Sequence, residues 1–100
     1  MEINKILNDK TCTIELTGRL DTLTSPQLEE ALKEVPADVE KLVLDLKTLE
    51  YVSSAGLRVF LNAQKSMMNK GEMILRNVND EIMEVLSMTG FTQILTIEKD

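Results

Sequence analysis

The sequence predicts an α/β fold: a single domain with a mixed, largely parallel sheet of four to five strands and about three helices packed on it. Three observations lead there. Short apolar runs with strand character alternate with stretches whose apolar residues recur at helical spacing. From the second run onward, strand and helix alternate one for one, the pattern of parallel strands joined by right-handed crossovers. The chain has 100 residues, 43 % hydrophobic and 28 % charged, with no repeat, low-complexity tract or linker. One domain with one core, spanning 1–100, fits that size and balance.

Taken in order, residues 2–6 form a short first strand and Asn8-Asp9-Lys10 a turn. Thr11 to Thr17 alternates with period two, so it is a second strand, which Gly18 is expected to end. Arg19-Leu20-Asp21-Thr22 runs on as a loop. A helix follows, with Thr24 or Ser25 as cap, Pro26 near its first position and Glu29 and Glu30 in its early turns. Its apolar stripe is Leu28, Ala31, Leu32 and Val35, and Pro36 stops it. Lys41 to Asp45 reads as a buried strand, apolar at Leu42, Val43, Leu44 and Leu46, with Leu49, Tyr51 and Val52 leading on to the next motif. Leu57, Phe60, Leu61, Ala63 and Met67 then mark a second helix from about Ser54 to Asn69, stopped at Lys70-Gly71. Glu72 to Arg76 is another strand. Asn79 or Asp80 caps a third helix with Ile82, Val85 and Leu86 on its face, ending near Thr89-Gly90. Gln93 to Ile97 is expected as the last strand. Met67, Met68 and Met83 lie on helix faces and read as core.

Composition removes several functions. Seventeen acidic residues against eleven basic give a net charge of −6, and no basic stripe exists to grip a phosphate backbone. Direct nucleic-acid binding is therefore not expected. No apolar run approaches the ~20 residues of a membrane span. Met1-Glu2-Ile3-Asn4-Lys5 shows no secretory signal, and the lone Cys12, inside a strand pattern, reads as a buried core residue. These point to a cytoplasmic protein. The chain has no histidine, which excludes Ser-His-Asp and Cys-His catalysis and most zinc sites. No catalytic residue, metal or cofactor is assigned.

Between the buried strand and the second helix lies Val52-Ser53-Ser54-Ala55-Gly56-Leu57-Arg58. Serine at a helix start accepts from the free amides of the first turn, and that turn suits an anion. Ser54 is thus a cap, a nucleophile or a phosphorylation site on its residue type alone. Asp21 lies in a loop that it can cap itself; Asp45 is expected to pair with a backbone amide or a lysine. Gly56 implies a need for space at the helix start, for a partner loop or for a neighbouring strand. Arg58 is expected to be exposed if Leu57 and Leu61 face inward.

The stretch Ser53-Ser54-Ala55-Gly56-Leu57, opening a helix after a strand, resembles the signature of the STAS domain of bacterial anti-sigma factor antagonists. Leu16-Thr17-Gly18-Arg19-Leu20-Asp21 is similar to that family's Gly-x-Leu-Asp loop, and Glu84 to Phe91 to its late Leu-x-x-x-Gly-Leu/Phe ending. The resemblance implies phosphorylation of the serine aligned at Ser54, with Ser53 standing where well-known members carry aspartate and serving as second candidate acceptor. It places Asp21 beside the acceptor, where it would orient the serine hydroxyl or contact the kinase, against the plain alternative of a cap for its own loop. It implies a partner surface containing Asp21, Ser53, Ser54, Gly56, Leu57 and Arg58. The implied partners are a serine-kinase anti-sigma factor, which would release its sigma factor on binding, and a phosphatase that resets the serine. The competing readings are a constitutive STAS adaptor, in a lipid-transport complex or stress-signalling assembly, and an enzyme or small-ligand protein. The last lacks both a base for the serine and a Gly-rich phosphate loop.

Overall fold

The computed structural model describes residues 1–98. β1 (Glu2–Asn8) and β2 (Thr11–Leu20) form an antiparallel hairpin, its turn made possible by a left-handed backbone at Asp9 (φ 56°). α1 (Ser25–Lys33), β3 (Lys41–Val52), α2 (Ser54–Met67), β4 (Glu72–Arg76), α3 (Asp80–Met88) and β5 (Thr96–Ile97) follow, with a single 3-10 turn at Phe91–Gln93. The sheet order is β1-β2-β3-β4-β5, and every pair after the hairpin is parallel. This agrees with the expected mixed, largely parallel sheet and its three helices.

Strand alternation decides where the core lies. Cys12, Ile14 and Leu16 on β2, Leu42, Leu44 and Leu46 on β3, and Met73 and Leu75 on β4 share one face. Against them pack Leu28 of α1, Val59, Phe60, Ala63 and Met67 of α2, and Ile82 and Leu86 of α3, forming one continuous cluster. The opposite face carries Thr13, Val43 and Ile74 side by side, and Val43 is fully buried there. At the other end of the sheet, a Cβ on Gly71 would strike the Glu40 carbonyl, so glycine lets β4 begin directly against the start of β3.

Several boundaries differ from expectation, and β-bulges account for the largest. The β2–β3 register slips between Glu15 and Thr17 and again between Gly18 and Arg19. Gly18 therefore does not end its strand; it bends it at φ 105°, and β2 runs on to Leu20. β3 likewise continues past Asp45 to Val52. It pairs with β4 only over Lys41–Asp45, and its later part, Thr48–Val52, pairs with β2 alone. Asn79 fastens that later part from the side. Its Nδ2 donates to the Leu49 carbonyl at 3.0 Å, while its Oδ1 caps α3 by accepting from the Ile82 amide at 2.8 Å.

Gln93 to Leu95 is not strand, because left-handed Gly90 (φ 81°) opens the 3-10 turn and leaves two residues for β5. β1 extends to Asn8, α1 ends at Lys33 before Val35, and α2 ends at Met67. Met67 is buried and Met83 half-buried, but Met68 is 68 % exposed and is not core. Among the described residues no helix is long and apolar enough to cross a membrane.

Candidate functional site

Leu20 and Val52 end β2 and β3 side by side. The Ser53 amide donates to the Leu20 carbonyl at 2.8 Å, so sheet pairing carries one residue beyond β3 before the chain turns into α2. Ser53 keeps an extended backbone (φ −94°, ψ 176°), its side chain accepts from the Gly56 amide at 3.4 Å, and its carbonyl accepts from the Leu57 amide at 2.9 Å. It is the N-cap of α2. Ser54 is then the first helical residue. It is exposed, and its hydroxyl takes no hydrogen-bond partner among the described residues. The two adjacent serines have divided the work: one closes the helix, and the other is presented to solvent at the positive end of the helix dipole.

The helix start lies close upon the strands because Gly56 has no side chain. A Cβ there would lie 2.7 Å from Leu20 Cγ and 2.9 Å from Val52 Cγ2. The space that Gly56 provides is filled by the chain's own core. Leu57 is only 5 % exposed. These two residues of the expected partner surface are therefore interior supports, while Ser54 and Arg58 are exposed and Ser53 is half-buried. Leu61 is half-buried.

One residue beyond Leu20, whose carbonyl pairs with the Ser53 amide, Asp21 organises the loop into α1. Its Oδ1 accepts from the Leu23 amide at 3.0 Å and the Thr24 amide at 3.1 Å. The Thr24 hydroxyl accepts from the Asp21 amide at 2.9 Å and donates to the Arg19 carbonyl at 2.7 Å. The buried Ser25 hydroxyl donates to the Asp21 carbonyl at 2.6 Å. The Thr24 amide, aided by the Leu23 amide, the Thr24 hydroxyl and the Arg19 charge, holds the Asp21 carboxyl below its ordinary range. Asp21 caps its own loop, and Thr24, expected as a helix cap, spends its side chain on the same turn.

Sequence reasoning missed what that turn displays. Leu23 is 86 % exposed, an apolar side chain held out by a loop whose Asp21, Leu23 and Thr24 amides are all paired. A single leucine in a polar loop carries no periodicity, so no pattern could flag it. On the sheet, the Arg19 guanidinium of β2 stacks 4.3 Å over the Tyr51 ring of β3. Asp45 lies elsewhere. It accepts from the Lys47 amide at 3.0 Å and from Asn77 Nδ2 at 3.1 Å, a local structural use through a backbone amide, with an asparagine rather than a lysine as its second donor.

The fold is a mixed α/β domain that presents an exposed hydroxyl at the start of α2 and, after β2, a turn closed by Asp21 that holds Leu23 out to solvent. The chain belongs to the STAS domain family, whose model matches residues 2–100. It is 35 % identical over 88 residues to the anti-sigma-B factor antagonist of Listeria monocytogenes, an alignment covering 85 % of this chain and 76 % of that one. An anti-sigma factor antagonist from Mycobacterium paratuberculosis shares the fold with a TM-score of 0.89 at 20 % identity, over 99 % of this chain and 86 % of that one. The anti-sigma factor antagonist SpoIIAA in its unphosphorylated form gives a TM-score of 0.73 at 17 % identity, over 99 % and 89 %. The phosphorylated form of the Bacillus cell fate determinant SpoIIAA gives 0.71 at 17 %, over 99 % and 93 %.

Proposed function

We propose that this protein is a cytoplasmic anti-sigma factor antagonist that acts by binding, and that phosphorylation of Ser54 releases its partner. The observation that carries the reading is the free, exposed Ser54 hydroxyl at the first position of α2, relieved of capping by Ser53. Its relatives' names supply the partner class, an anti-sigma factor, and SpoIIAA is known in both phosphorylated and unphosphorylated forms. The partner is a serine kinase that recognises the surface around Ser54, Arg58, Asp21 and Leu23, and a phosphatase restores the hydroxyl.

The physics of the switch follows from the position. A phosphate adds about 1.5–2 negative charges and three acceptor oxygens. At the helix N-terminus the intrahelical field favours that charge, so the fold is retained. A partner packed over Ser54 meets bulk and unpaired charge instead. A penalty of about 3–4 kcal/mol there weakens binding roughly 100–1000-fold, enough to dissolve a complex.

Phosphopeptide mapping of the protein isolated from its own cells at several growth stages tests this. Partial, condition-dependent phosphate on Ser54 is the expected result. Phosphate confined to Ser53 would move the switch by one residue and overturn the assignment. No phosphate at any stage would leave the constitutive adaptor in its place.

A further inference from the structure

We propose that Arg58 is a built-in receptor for the Ser54 phosphate, so that modification withdraws a cation from the docking surface as well as adding an anion. This rests on the Ser54 switch proposed above. Ser54 and Arg58 are four residues apart on α2, and both are exposed. That spacing makes them neighbours on one helix face, with Cβ atoms about 5–6 Å apart, in the acid-before-base order that is the stronger of the two. The guanidinium fork matches phosphate oxygens in pairs.

Arg58 is also available. The ion pairs formed among the described residues are Lys5–Glu34, Lys10–Glu40, Lys33–Glu30 and Arg76–Glu98, and none involves it. The next cation along α2 is Lys65, further down the helix. Of the charged groups on the surrounding elements, Asp21 is committed to the Leu23 and Thr24 amides and Arg19 lies over Tyr51. Glu50, on β3, is exposed and adds only like charge. The helix start cannot shift to spoil the spacing, because Gly56 is wedged on Leu20 and Val52 and Leu57 is buried. In the unmodified protein Arg58 extends from α2 and meets the partner. In the phosphorylated protein it folds back one turn onto the phosphate.

The test uses the full chain with phosphoserine incorporated at position 54 during translation, so it needs no knowledge of the kinase. Phosphorus NMR follows the second ionisation of the phosphate in the otherwise natural chain, in R58Q and in R58K. Removing an i,i+4 partner should raise that midpoint by about 0.2–0.4 pH unit in R58Q, with R58K between the two. The same R58Q change should shrink the rise in melting temperature that phosphorylation brings, while leaving the unphosphorylated melting temperature nearly unchanged. An identical titration in all three proteins would refute the inference and leave the Ser54 switch standing. A shifted titration together with no phosphate on Ser54 in cells would instead refute the switch, and with it the regulatory use of the pair.

Discussion

Gly56→Ala is the substitution whose effect the coordinates define most sharply. The added methyl would lie 2.7 Å from Leu20 Cγ, 2.8 Å from Leu20 Cδ2 and 2.9 Å from Val52 Cγ2. Ordinary carbon contacts sit at about 3.5–4.0 Å, so something must yield by most of an ångström. Leu20 is fully buried and Val52 is 3 % exposed, and a β-branched valine has little rotamer freedom. The start of α2 must therefore lift. Overpacking of this kind costs about 1–3 kcal/mol. Alanine's better helix propensity offsets up to about 1 kcal/mol of it. A net loss of about 1–2 kcal/mol lowers the melting temperature of a domain this size by roughly 4–16 °C. Circular-dichroism melts with matching urea midpoints measure it. A G56A protein melting at or above the parent would refute the claim that the helix start is wedged, and with it the fixed position assigned to Ser54.

Asp21→Asn keeps an acceptor for the Leu23 and Thr24 amides but removes the charge. Because the folded carboxyl titrates below its ordinary value of 3.8, its contribution is complete above that value and is lost as pH falls through the lower folded one. The parent's urea midpoint should thus fall more steeply than that of D21N on the acid limb below about pH 4, and parallel curves would deny the coupling. Asn79→Ala removes the α3 cap and the anchor on the Leu49 carbonyl together, and should cost about 1–2 kcal/mol by chemical denaturation. Ser53→Ala, losing a 3.4 Å cap, should cost less than N79A; the reverse order would contradict the cap geometry. Cys12 is buried, and burial pushes its thiol up, so it should resist thiol reagents in the native protein and react once urea unfolds it.

The alternation and helical spacing of apolar residues made every principal element legible in the sequence, because one-sided burial leaves a period. The ends were less legible where backbone geometry broke the period. Leu46, Lys47, Thr48 and Leu49 read as the exit of a strand, since the bulge opposite Glu15 and Thr17 puts two exposed residues in succession. Gly18 reads as a terminator by composition, yet its left-handed backbone is what lets β2 continue. At the site, the Ser-Ser pair is legible from its place between strand and helix, whereas Arg58 reads as no more than an exposed charge. Which serine caps was not readable, because it depends on where pairing to the Leu20 carbonyl stops. The role of Leu23 was hidden for the opposite reason: it touches no pattern, and only the closed Asp21 turn gives it a direction.

The unequal pairing of β3 has a mechanical consequence. Below Asp45 the strand is clamped on both edges, whereas from Thr48 to Val52 it is a cantilever, hydrogen-bonded to β2 and pinned laterally by Asn79. Ser54 rides on its tip. Opening of such a segment requires fewer bonds to break than opening of the clamped root, so amide exchange at Leu49 to Val52 should outpace that at Leu42 to Leu44. The surface around Ser54 is thus held in place by packing, with Gly56 seated on Leu20 and Val52, where the strand beneath it lacks pairing on both edges.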